Sequence, residues 1–232
     1  MLSVIGFLAL LFVITFLLGS IPWGVIISRV FYHTDIREHG SGNIGTTNAM
    51  RTMGKVGGGA VFVLDFGKGI ISGLVALAFS WYIFTDPTSV AAFSDALGGE
   101  ADPMRYMDQI CLSLAFLACA MGHIFSPWLH FKGGKGVAVA AGCLFSTFGL
   151  MGGLIELALF AILVIVTRYV SVGSIGAAIL CPFLAVYFFW GNPVAIGICL
   201  LVACLVIWAH RENIGRLRAG CENRIGSKKK SE

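Results

Sequence analysis

Residues 137–167 read VAVAAGCLFSTFGLMGGLIELALFAILVIVT, with Glu156 as the single charge. The run exceeds the ~20 apolar residues that cross a bilayer as one helix. Its centre, Gly149-Leu150-Met151-Gly152-Gly153, is where a helix is weakest, because glycine is a poor helix former. One helix here gives the chain an even number of crossings. Two short helices, Val137–Phe148 and Leu154–Thr167, give an odd number.

The rest of the chain decides between them. It is 57% hydrophobic and 12% charged, with mean hydropathy +0.88, where a soluble domain carries about 25% charged residues. Further apolar runs cover Met1–Val30, Val56–Phe84 (interrupted by Asp65 and Lys68), Met107–Ser126, Val172–Trp190 and Pro193–Ala209. The segment Asp86–Asp108 holds five acids against Arg105, and the other fifteen Lys and Arg lie at the opposite ends of the runs. By the positive-inside rule those ends are cytoplasmic. No base precedes the first run, which places the N-terminus outside, and the basic tail belongs inside. Parity then selects two short helices. The expected fold is an all-α integral membrane bundle of about seven transmembrane helices, two of them short. It forms a single domain over residues 1–232, with a disordered basic tail at 225–232. Met1–Gly19 lacks the basic start and cleavage site of a signal peptide. Six of the seven cysteines lie in apolar runs and none forms C-x-x-C, so they read as small hydrophobes.

Three polar clusters fall on the cytoplasmic side. The first, Gly40-Ser41-Gly42-Asn43-Ile44-Gly45-Thr46-Thr47-Asn48-Ala49-Met50-Arg51, is glycine-rich, full of small donors and closed by arginine. Gly40, Gly42 and Gly45 match a dinucleotide fingerprint, but membrane helices flank them instead of a β-α-β unit. What survives is an anion site: backbone N–H groups freed by glycine, Thr46 or Thr47 as a helix cap, and Arg51 one turn on. The second, Lys132-Gly133-Gly134-Lys135-Gly136, is no Walker motif, yet two lysines on a glycine turn at a helix entrance suit a phosphate. Topology-setting lysines are the plainer alternative. The third runs from His210 to Arg224. His210 and Asn213 share a helical face, Gly220 stops the helix, and Glu222 follows among arginines. A solvated tail is the alternative, preferred for Arg211 and Arg218. Asp65 and Lys68 sit one turn apart in an apolar helix, where they must pair or line a polar cavity. Glu156 has no assignable partner.

These clusters, in this order, resemble the bacterial acyl-phosphate-dependent glycerol-3-phosphate acyltransferases over nearly the whole chain. The resemblance implies a seven-helix enzyme of the bacterial cytoplasmic (inner) membrane, without cofactor or metal. It implies transfer of a fatty acyl group from long-chain acyl phosphate to glycerol 3-phosphate, giving lysophosphatidic acid and inorganic phosphate for phospholipid synthesis. No nucleic acid is expected; membrane lipid is, with a monomer in possible contact with other phospholipid-synthesis enzymes. Ser41, Arg51, Lys135, His210, Asn213 and Glu222 are the expected catalytic set. Gly42, Asn43, Thr47, Asn48, Lys68, Lys132, Gly133, Gly134 and Gly136 are the expected substrate-binding set. Ile44 departs from the family, where many members have proline.

Such a reaction needs held phosphates and a stabilised oxyanion more than a nucleophile, because the donor is already activated. Arg51 and Lys135 suit phosphate, Ser41 and Asn213 phosphate or oxyanion, and His210 and Glu222 orientation. A soluble-donor acyltransferase usually carries His-x4-Asp, and no histidine here has an aspartate five residues on. An organic-phosphate or anion transporter is the alternative class, but the chain has no visible repeat and its polar residues crowd one face.

Overall fold

The computed structural model describes residues 2–85, 90, 91, 94 and 102–226. Most of the acidic segment and residues 227–232 of the expected tail lie outside the described residues. The described chain is helical, in the order α1 (Leu2–Ser20), α2 (Trp23–Tyr32), α3 (Thr46–Ile83), α4 (Pro103–Ile124), α5 (Val137–Thr147), α6 (Gly149–Thr167), α7 (Val170–Phe188), α8 (Pro193–Ala209) and α9 (Arg211–Arg218). Five stretches are long and apolar enough to cross a membrane: Val4–Tyr32, α3, Pro103–Leu129, α6 and α7. The pair α8–α9, bent by 53°, makes a sixth. α5 is apolar but shorter.

Helix starts follow their caps. Asp102 accepts from the N–H groups of Met104 and Arg105, with Pro103 as the first helical residue of α4. Asn192 does the same for α8, accepting from Ala195 at 3.1 Å ahead of Pro193. Its amide also donates to Tyr106 O and Gln109 Oε1, which locks the starts of α4 and α8 together.

α4 is the central helix, packed by α1, α3, α5 and α8. A Cβ on Gly122 would collide with the carbonyl of Phe16 on α1, so glycine is what permits that approach. Leu11, Ala76, Ile83, Met107 and Ala115 form a core at the end where α1 begins. α8 finishes at the other end, where the Trp208 ring meets Phe125. All three polar clusters lie at that second end.

The first run breaks at Ile21-Pro22, because proline cannot continue the hydrogen-bond ladder. Two expectations change. The break in 137–167 is confined to Phe148 and the left-handed Gly149 (φ +68°). Gly152 and Gly153 stay helical because they seat against the Phe148 and Phe145 side chains. α6 therefore starts at Gly149 and is 19 residues long, leaving α5 as the short member of the pair. Phe148 packs on Phe188 and Phe189 at centroid distances of 5.7 and 5.3 Å, a cluster of rings beyond the end of α5. Finally, the Ile225 N–H donates to Arg168 O at 2.9 Å, so the start of the expected tail is pinned to the bundle.

α6 turns Leu150, Met151, Ile165 and Val166 outward and buries only Gly152, Gly153 and Glu156. Its charge faces inward, as hydrocarbon surroundings require.

Candidate active site

The glycine-rich loop is organised from inside by Asn48. Its Oδ1 accepts from the Ser41 N–H at 2.9 Å, and its Nδ2 donates to the carbonyls of Ile36, His39 and Asn43 at 2.8–3.1 Å. Gly40 and Gly42 take left-handed backbone to make the turn. Ser41 and Thr47 remain exposed, as does Arg51 one turn into α3. Just upstream, Asp35 braces the approach. Hydrogen bonds from Arg37, then from Arg29, hold its carboxyl well below the usual carboxylate range.

The second loop is sewn onto the end of α4. Gly133 and Gly134 donate to the carbonyls of Ile124 and His123 at 2.9 and 3.1 Å, and a side chain at either glycine would strike His123. Beneath them the Lys68 ammonium meets Asp65 at 2.9 Å, Ile21 O at 2.9 Å and His123 Nδ1 at 3.0 Å, all in the interior. Gly136 then starts α5 with φ +75° and no side-chain cap. The first N–H groups of α5 are left open toward this end of the bundle, where an anion would satisfy them.

The third wall comes from the far end of the chain. At the bend after α8, His210 Nδ1 donates to Val206 O at 2.8 Å, so Nδ1 carries the proton and Nε2 is the acceptor of the neutral ring. Glu222 accepts from Asn213 (2.7 Å), Arg216 (2.7 Å) and Ser171 (3.1 Å). Burial pushes its carboxyl up, but these three donors outweigh burial and hold it below the usual range.

Electrostatics tie the walls into one site. The half-buried Lys135 ammonium is held below the usual lysine range, first by burial and then by Arg216, with Arg51 adding to this and Glu222 and Glu212 opposing it. His210 is likewise kept toward its neutral form by burial, against the Val206 carbonyl, with Lys135 adding to it. Cluster one thus supplies Arg51, cluster two Lys135, and cluster three His210, Arg216 and Glu222, each within electrostatic range of Lys135. The loops also touch directly, since the Ile44 side chain lies against Gly134.

Residues 9–220 match the family model described as glycerol-3-phosphate acyltransferase. The chain belongs to the glycerol-3-phosphate acyltransferase family. A relative from Rhodopseudomonas palustris, strain BisB5, is 36% identical over 97% of this chain and all of its own length. One from Geobacter sulfurreducens is 40% identical over 91% of this chain and 94% of its own. Both carry the name glycerol-3-phosphate acyltransferase. Two crystal structures of PlsY, an integral membrane glycerol 3-phosphate acyltransferase, superpose with TM-scores of 0.74 and 0.71. They share 34% and 33% identity, cover 94% of this chain, and are covered to 96% and 95%. One is a glycerol 3-phosphate form and the other a lysophosphatidic acid form.

Within this family member, several residues sit differently from expectation. Asn48 spends its amide on the loop itself, and Lys68 spends its ammonium on the interior, so both build the site from behind. The N–H groups of Gly133 and Gly134 cap α4 and are turned away from a ligand; the open N–H groups belong to the start of α5. Neither Thr46 nor Thr47 caps α3. Gly45 is the cap residue, and the Asn43 side chain accepts its N–H. Asn213 holds Glu222. Lys132 is exposed at the rim. Ile44 is 3% exposed in the small core beneath the loop. Arg216 and Ser171 belong to the site and were missed. Arg216 had a signal, lying one turn from Asn213 on the same face; Ser171 had none.

Proposed function

We propose that this protein acylates glycerol 3-phosphate with a fatty acyl group from acyl phosphate, releasing lysophosphatidic acid and inorganic phosphate. The observation that carries the reading is the convergence of Arg51, Lys135, the open start of α5 and a fixed Glu222 at one end of the bundle. Two phosphates and one reacting hydroxyl need such a set.

Arg51 and Lys135, with the α5 N–H groups, hold phosphate, and exposed Ser41 donates beside them. An ionised carboxylate has room for about four hydrogen bonds; Glu222 has three in use, and the fourth receives the glycerol hydroxyl. His210 Nε2 accepts from the same region. The hydroxyl oxygen bonds to the acyl carbon, the carbon–oxygen bond to phosphate breaks, and the leaving phosphate takes the hydroxyl proton. The charge that builds on the departing phosphate oxygens makes them the proton acceptor. The protein contributes position and charge stabilisation.

Seven crossings follow if α5 and α6 form a pair that enters and returns, with the N-terminus outside and the site on the cytoplasmic face. The bacterial inner membrane then supplies lipid on one side and glycerol 3-phosphate on the other. The decisive assay uses purified protein in detergent with labelled glycerol 3-phosphate, without metal or nucleotide. Palmitoyl phosphate should support lysophosphatidic acid formation and palmitoyl-CoA should not. Direct use of the thioester would sink the donor assignment.

A further inference from the structure

Glu156 takes no part in the reaction derived above, yet its surroundings are specific. It is 2% exposed, and neither carboxyl oxygen has a hydrogen-bond partner among the described residues. Buried polar atoms are rarely left so. It lines an apolar cleft among α4–α8 that is partly open to its surroundings. Phe116, Leu144 and Phe160 typify the remaining wall. Ser174 also lines it, but its hydroxyl already donates to Val170 O at 2.9 Å.

The cleft reaches residues that border the candidate site. Val137, which follows Gly136, and Val206, whose carbonyl fixes His210, both line it. Gly153 seats against Phe145, so Glu156, further back along the returning helix, lies level with about Gly142. That is roughly 9 Å beyond Gly136 at 1.5 Å per residue. A plain alkyl chain threaded down from the reacting carbonyl would pass the carboxyl and leave its hydrogen bonds unmade. A chain carrying an oxygen at that depth would make them.

We propose that this cleft takes the donor's acyl chain and that Glu156 selects chains bearing a hydroxyl group in their middle portion. The inference rests on the acyltransferase reading and adds the class of chain that the same site prefers. Glu156 is a specificity residue here, remote from the bonds that change. A site able to pair a substrate hydroxyl discriminates against the analogue lacking it far better than an apolar pocket does.

The test uses C16 acyl phosphates, unsubstituted or hydroxylated near the carbonyl, at mid-chain or near the methyl end. They compete in pairs for wild type, Glu156→Gln and Glu156→Leu. Wild type should favour the mid-chain isomer by about tenfold in kcat/KM. Glu156→Gln should keep part of that preference, and Glu156→Leu should favour the unsubstituted chain. Equal ratios in wild type and Glu156→Leu would overturn the proposal. In parallel, binding of the corresponding free fatty acids is measured by calorimetry on monodisperse protein. If no acyl phosphate is accepted but the mid-chain hydroxy acid still binds better to wild type than to Glu156→Leu, the donor assignment fails and the cleft's selectivity stands. If wild type shows no such preference in binding, the selectivity fails whatever the donor.

Discussion

Arg51 presents a planar guanidinium one turn into α3, exposed and within electrostatic range of Lys135. A two-pronged contact to phosphate needs that plane, which an ammonium lacks. Arg51→Lys should therefore lower kcat/KM about a hundredfold, near 3 kcal/mol of transition-state stabilisation, although charge is kept. Arg218→Ala, exposed on α9, should lose little. Near-normal turnover of Arg51→Lys at low glycerol 3-phosphate would reduce Arg51 to a topology charge. Lys135 yields a pH prediction. Its ammonium is held below the usual range, so it loses its charge earlier as pH rises. The alkaline limb of kcat/KM should fall before the ~10.4 of a free lysine, and Lys135→Arg should move that limb upward. A limb unmoved by Lys135→Arg would assign it to another group. At this scale the sequence displayed the chemistry but not its direction. Asn48, Gly133 and Gly134 have the right donors for a phosphate, yet those donors are used on carbonyls that only the fold brings near.

Among the elements, the contact between α3 and α4 supports the second loop. Lys68 bridges Asp65, Ile21 and His123, and His123 in turn carries Gly134. Removing one member strands a buried charge. Lys68→Met alone should destabilise by about 3–5 kcal/mol, whereas Asp65→Leu with Lys68→Met should recover most of that. Thermal unfolding in detergent reports both. Equal loss in the single and double variants would place the cost in the other contacts of Lys68. The helices themselves were legible because hydrophobic runs, prolines and asparagine or aspartate caps mark them locally. The break after α5 was misplaced by a few residues. Gly152 and Gly153 look like helix breakers in sequence, but contact with Phe145 and Phe148 overrides propensity, and such contact is not a local property.

For the whole molecule, the orientation expected from charge asymmetry can be read by labelling. Single cysteines replacing Ser94 and Ser227, in a cysteine-free background, should react with an impermeant maleimide from opposite sides of the membrane. Same-side labelling would remove the seven-crossing arrangement. Family membership was legible at this scale too, because three short clusters far apart in sequence are each specific and jointly more so.

The ring cluster beyond α5 has a consequence for the cell as well as for the fold. A bilayer that stores a voltage holds about 2.3 kcal/mol per charge per 100 mV, and a hydrated pit sunk halfway through it is half of a leak. α5 ends at Thr147, and Phe148, Phe188 and Phe189 cluster just beyond it, at the end away from the three polar clusters. In the inner-membrane placement proposed above, such a seal would let the site take water and phosphate from one compartment without discharging the gradient. Phe148→Ala in proteoliposomes should quicken the collapse of an imposed proton gradient, read with an entrapped pH-sensitive dye. Unchanged permeability would mean that the seal lies elsewhere in the bundle.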